Sequence, residues 1–351
     1  MKKTILLFGL IVVLLLGCQP EQSERKAVAP TALASTAANT PAPTVQEASP
    51  TPTVQASPTP SPTATATPVP TREPLPGDVT DHFPTEDTGL TAQYSYQSDE
   101  LRIAIDVVED EELLQKYYVA DIWTRNIHSF RTGFGHGKFG SGTEDGEAFA
   151  IREHAILAVN GTMNYGLIYH NGQKFRGYSS SITRKGIAVL FADGTMQLFD
   201  SVNLPKEIAQ RDDIVHVLHY GPILVTGGEM AKDFPLRAGR HPRIMLGYYE
   251  PGHYVLVAVD GRSKTALGMT EREMAELMLS LGCQEAINLD GGTSAMMVFM
   301  GDCISHPSGK DNDGDGKAGR KLKDMLLFAE YDENGIAPPL EEVDKDRVTA
   351  P

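Results

Sequence analysis

The residues best able to do chemistry in this 351-residue chain fall in four short clusters, each where a predicted strand ends. Asn160-Gly161-Thr162-Met163-Asn164 follows an apolar run at 156–159, and His241-Pro242-Arg243 opens a strand pattern at 243–249. Asp260-Gly261-Arg262 closes a pattern at 254–259. Asn288-Leu289-Asp290-Gly291-Gly292-Thr293-Ser294 lies between patterns at 285–289 and 295–299. Two glycines directly after an acid let a ligand approach backbone N–H groups, and those amides with an arginine make a reasonable phosphate cradle. Arg243 is planar and permanently charged, which suits a phosphate. Asp290 has the carboxylate a base or nucleophile needs, and His241 an imidazole that can act as an acid or orient a phosphate. Read singly, each cluster is also a turn: Asn160 a turn former, Asp290 a capping acid, His241 a turn histidine and Arg262 an ion-pair partner of Asp260. Four such clusters at strand ends of one domain point to a shared site.

The elements that must position them are mostly strands. Residues 101–107 alternate in polarity, and 117–122, 187–192, 195–199, 215–218 and 223–225 are further short apolar patterns. Asn171-Gly172 and Asp193-Gly194 separate paired runs, a strong hairpin signal. The clearest helix begins at Thr270, with Glu273 three residues on as a capping box. Met274, Leu277, Met278 and Leu281 then form one apolar face, which makes the methionines core rather than a cofactor site, and Gly282 ends the helix. A short helix is expected over 146–154 and a final strand over 324–328. Many hairpins with a few packed helices predict an α+β fold with mixed sheets.

The N-terminus has another character. Met1-Lys2-Lys3 precedes an apolar run at 5–16 that ends in Gly17-Cys18, a secretory signal too short to span a bilayer comfortably. It resembles the lipobox of bacterial lipoproteins, which implies lipid on Cys18 and a location on the outer side of the cell membrane. Thirteen of the 23 prolines lie within residues 1–76, and no apolar periodicity appears in 19–76. That stretch therefore reads as a disordered tether, able to reach about 150 Å when extended. A domain at 77–331 and a C-terminal tail at 332–351 complete the division. The net charge of −15 argues against nucleic acid as a partner while leaving room for a local basic pocket. Cys283 and Cys303 can pair in an exported protein or stand as two buried thiols. Asp311, Asp313 and Asp315 occupy positions 1, 3 and 5 of a calcium loop with glycines at 314 and 316, but Leu322 stands where an EF-hand needs Glu. The expectation is one structural Ca²⁺ that would order this loop and carry Arg320 into place; a solvated acidic turn is the alternative.

Nine segments stand in an order that resembles the phosphodiester glycosidase family, over residues 94–328. They are Tyr118-Val119-Ala120-Asp121-Ile122, Phe130-Arg131-Thr132, Ala158-Val159-Asn160-Gly161, Gly221-Pro222-Ile223-Leu224, Pro242-Arg243, Val259-Asp260-Gly261-Arg262, Gly268-Met269-Thr270, Leu281-Gly282-Cys283 and Asn288-Leu289-Asp290-Gly291-Gly292. The resemblance implies hydrolysis of sugar-1-phosphodiester linkages in extracellular or envelope glycans, with no cofactor required. It puts Asp290 and His241 in catalysis, and Arg131, Asn160, Arg243, Arg262, Gly291, Gly292 and Thr293 around the substrate. Thr162-Met163-Asn164-Tyr165, Ile244-Met245-Leu246-Gly247 and Thr293 depart from the family pattern. The alternative they raise is a non-catalytic glycan-binding or envelope-assembly lipoprotein on the same fold.

Overall fold

A computed structural model describes residues 79–80, 82–84, 92–177, 186–232, 239–309, 319–330 and 338–351. Cys18, the tether and Asp311, Asp313 and Asp315 lie outside the described residues. The described residues belong to one unit, which begins at Pro68. Among them are three antiparallel sheets and three short α-helices: α1 (Gly146–Arg152), α2 (Lys206–Ala209) and α3 (Glu271–Ser280).

The local signals act as their chemistry requires. Asn171 and Gly172 take φ of 50° and 72°, the two left-handed residues of a tight hairpin turn, and join Ile168–His170 to Gln173–Arg176. At Thr270 the capping box forms: the hydroxyl accepts from the Glu273 N–H at 3.2 Å and the Glu273 carboxylate accepts from the Thr270 N–H at 2.8 Å. Gly282, at φ 85°, closes the far end of α3.

The largest sheet has nine strands. Its order runs Glu229–Met230, Ile223–Thr226, Glu285–Asn288, Arg243–Glu250, His253–Val259, Gln115–Thr124, Leu101–Asp110, Tyr94–Gln97 and Val348–Thr349. Ile244, Leu246, Leu256, Ala120 and Ile122 face the main core, while Met245, Val255, Val257 and Val259 face α3 through Met274, Ala275 and Met278. Each fully buried methionine contributes about 1.5–3 kcal/mol relative to exposure. A five-stranded sheet, Asp302–Cys303, Met297–Phe299, Leu157–Asn160, Asp324–Phe328 and Phe130–Phe134, lies across the same core. Its outer face carries Ala158, Val298, Met325 and Leu327 against Phe149 and Ala150 of α1. The third sheet, Gln173–Arg176, Ile168–His170, Ile214–His219, Ile187–Phe191 and Met196–Phe199, completes the core with Ala188, Leu190, Val215 and Leu218.

Two expectations change. The described part is rich in sheet with few helices, compatible with α+β, but every described pairing is antiparallel rather than mixed; a parallel pair would need a long crossover where this chain uses tight turns. Residues 338–351, expected to trail beyond the domain, pack onto it: Val348–Thr349 pairs with Ser95 and Tyr96, and Val343 is buried in the main core. Of the two readings left open for the cysteines, unpaired thiols is the one found: Cys283 is buried and Cys303 half-buried, in separate clusters.

Candidate functional site

The strands Leu157–Asn160 and Glu285–Asn288, from different sheets, end side by side. Asp290 is fixed there by its main chain: its N–H donates to the Gly161 carbonyl at 3.2 Å, and its carbonyl accepts from Asn160 Nδ2 at 2.8 Å. Asn160 Oδ1 accepts in turn from the Met296 N–H at 3.1 Å. The Asn160 side chain, expected to bind sugar hydroxyls, is therefore committed to backbone at both polar ends. Asp290 is 6% exposed. The Tyr220 hydroxyl donates to its Oδ1 at 2.7 Å, while buried Oδ2 meets no hydrogen-bond partner among the described residues. A buried carboxylate oxygen without a donor is costly, so Oδ2 is the acceptor left for a ligand or water.

The two glycines have distinct jobs. A Cβ on Gly291 would stand 2.6 Å from the Pro242 carbonyl, the same carbonyl that accepts from the Gly292 N–H at 2.9 Å. Gly292 takes φ 69°, and a Cβ there would stand 3.1 Å from Arg262 Nη2. The turn is thus pinned between Gly161 on one side and Pro242 on the other.

Asp290 lines a narrow cleft with Thr143, Asn160, Gly161, Met163, Ser294 and the stretch Arg320-Lys321-Leu322-Lys323-Asp324. Arg320, Lys321 and Lys323 are exposed at its rim, a local cationic field in an acidic protein. Asp324 shapes the opposite wall. It accepts from the Thr162 N–H and hydroxyl at 2.9 Å each, the Met163 N–H at 2.8 Å and the Asn164 N–H at 3.3 Å. These bonds hold Met163 and Asn164 at φ 59° and 58°, left-handed values uncommon outside glycine. Complete burial pushes the Asp324 carboxyl pKa up, against the four donors that lower it.

His241, Arg243 and Arg262 gather on the other side of the turn. Arg243 shares the α3 face of its sheet with Met245, and its Nε donates to the Met269 carbonyl at 3.2 Å. His241 is exposed; desolvation first, then the charges of Arg243 and Arg262, push its pKa down and favour the neutral ring over the acid read from the sequence. Arg262 lies on Gly292 rather than on Asp260, whose carboxylate is bonded to His306 and Tyr118. Thr293 sits half-buried in the turn, its methyl 3.5 Å from a Cβ built on Gly309. Arg131 is not brought in. It pairs with Leu327 toward the far end of a five-stranded sheet, two residues beyond the Gly133–Met325–Asn160 row, and is not among the residues lining the cleft.

Tyr220, Lys321, Lys323 and Asp324 were missed. Tyr220 directly precedes Gly221-Pro222 in the motif series, and that adjacency was the signal available. Lys323 and Asp324 reach the site only because the strand Asp324–Phe328 pairs with Leu157–Asn160.

A basic cleft beside the buried carboxylates of Asp290 and Asp324 lies where strand ends of two antiparallel sheets meet. The chain belongs to the phosphodiester glycosidase family, whose model matches residues 145–329, a stretch that holds Asn160, Tyr220, Arg262, Asp290 and Arg320. It is 28% identical over 173 residues to the SPbeta prophage-derived uncharacterized protein YomE of Bacillus subtilis (strain 168), covering 46% of this chain and 27% of that protein. It is 35% identical over 88 residues to the N-acetylglucosamine-1-phosphodiester alpha-N-acetylglucosaminidase of Bos taurus, covering 25% of this chain and 16% of that protein. The chain thus spans less than a third of either relative's length. Among solved structures, the zebrafish N-acetylglucosamine-1-phosphodiester alpha-N-acetylglucosaminidase catalytic domain, auto-inhibited by pro-peptide, matches with a TM-score of 0.55 at 20% identity. That match covers 68% of this chain and 89% of the zebrafish one, and at this identity it speaks for the fold.

Proposed function

We propose that the domain hydrolyses the bond between a sugar's anomeric carbon and a phosphodiester. The observation that carries this reading is Asp290, a lining residue of the cleft rimmed by Arg320, Lys321 and Lys323, with Oδ1 fixed by Tyr220 and buried Oδ2 left without a partner. When the C1–O bond breaks, a phosphomonoester departs, itself a good leaving group. The site must hold its charge, stabilise an oxocarbenium-like carbon and direct water. Arg320 and Lys323 take the phosphate; Asp290 Oδ2 accepts the proton of the attacking water. Arg243, Arg262 and His241 support the Gly291–Gly292 turn and its positive field.

The substrates in this reading are sugar-1-phosphodiesters of extracellular or envelope glycans, reached by a domain held to the membrane through lipid on Cys18. Calcium at Asp311, Asp313 and Asp315 would serve structure, not the reaction; equal melting temperatures with and without chelator would remove it. A non-catalytic glycan-binding role is the second reading, favoured by Met163, an apolar side chain in the cleft wall at a departure from the family pattern. A panel of sugar-1-phosphodiesters assayed for released sugar separates the two. Release on at least one member is expected; no release on any, with glycan binding retained, favours the second.

A further inference from the structure

We propose that His306, oriented by Asp260, donates the proton to the departing phosphate; this rests on the reaction proposed above. Asp260 lies just past the strand His253–Val259 and is 5% exposed, so its carboxylate needs partners. A single histidine supplies two. The His306 N–H donates to Oδ1 at 2.8 Å, and ring Nδ1 lies 2.9 Å from Oδ2. The Tyr118 hydroxyl closes the group, 3.4 Å from Oδ2 and 3.1 Å from Nδ1. One buried acid thus fixes both main chain and ring of His306, whose side chain is nonetheless 70% exposed. With Nδ1–H directed to the carboxylate, Nε2 is the ring nitrogen left to meet a substrate.

The dyad borders the turn that carries Asp290. Ser308 Oγ donates to the Gly292 carbonyl at 3.4 Å, and Gly309 stands against the Thr293 methyl. Arg262, two residues past Asp260, lays its guanidinium on Gly292. Besides Asp260 and Tyr118, the charged groups near the ring are Glu109, whose carboxyl pKa His306 helps to lower after its main partner Lys116, and Lys116 itself, 2.6 Å from Glu109.

In the step proposed, the C1–O bond breaks and its electron pair stays on the phosphate oxygen, which takes the proton from Nε2. Water oxygen bonds to C1 and passes one proton to Asp290. Imidazole and carboxylic acid return to their starting forms by exchange with solvent. A phosphomonoester takes its second proton near pH 6, which matches an imidazolium as donor.

The test compares wild type with His306→Gln on two sugar-1-phosphodiesters that share a sugar, one with an alkyl aglycone and one with a 4-nitrophenyl aglycone. The replaced ring is exposed, so an unchanged melting temperature is expected. In the variant kcat on the alkyl substrate should fall about 100-fold, with a smaller loss on the aryl substrate, whose leaving group needs the proton less. Wild-type kcat should decline on the alkaline side, and that limb should vanish in the variant. Asp260→Asn, scored only if its melting curve matches wild type, should shift the limb. A His306→Gln enzyme within about threefold of wild type that keeps the limb overturns the proposal. A wild type silent on both substrates overturns the underlying reaction and this proposal with it.

Discussion

Asp290 is a buried carboxylate with one oxygen bonded and one unpartnered, and Tyr220 makes the difference. A hydrogen bond to a charged group contributes about 1.5–3 kcal/mol, a factor of roughly ten to a hundred. Tyr220→Phe should therefore lower kcat by that factor with KM nearly unchanged, checked by steady-state kinetics. Asp290 was legible in the sequence because acid, glycines and flanking strand patterns are contiguous. Tyr220 was not, because its place opposite Asp290 depends on pairing between Ile223–Thr226 and Glu285–Asn288. Asn160 was legible as a member of the site but not in its role, since a side chain bonded to two remote backbone groups leaves no local mark. Arg131 entered on resemblance alone, and the register carries it away from the cleft.

At the scale of elements, the turn after Glu285–Asn288 is set by close approach. Gly291→Ala would drive a Cβ into the Pro242 carbonyl, which is backbone and cannot step aside. A cost of about 1–3 kcal/mol and loss of turnover are expected, read from thermal melts and sugar release. The strand Ile168–His170 offers a second check. His170 stacks on Phe134 at 4.2 Å, and burial, with the nearby His216 charge, pushes its pKa down to about 3. The unfolded chain binds this proton near pH 6.5 and the folded one only near 3, so stability is full above 6.5 and falls as pH drops through that window. From pH 6.5 to 5 this group alone removes about 2 kcal/mol; His170→Phe should lose that much less in urea unfolding over the same range. Hairpins and the capped helix were legible because Asn171-Gly172 and Thr270 with Glu273 act within a few residues. The order of the nine strands was not, since each neighbour is chosen by burial across the whole core.

At the scale of the molecule, a chain of net charge −15 gathers Arg320, Lys321 and Lys323 around a cleft that holds the carboxylates of Asp290 and Asp324. The pairing of Val348–Thr349 with Tyr94–Gln97 joins segments some 250 positions apart, and two residues of strand give no periodicity to read. The proposed anchor belongs to this scale too: Cys18→Ala should move the protein from the membrane fraction to the soluble one, and a variant that stays membrane-bound and unprocessed would contradict it. The central claim is that the unpartnered oxygen of Asp290 performs the chemistry. Asp290→Asn keeps the size of the side chain and an acceptor for Tyr220, so its melting temperature should match wild type. Sugar release from a phosphodiester that wild type hydrolyses should fall at least about 1,000-fold in this variant; release at the wild-type rate would contradict the account.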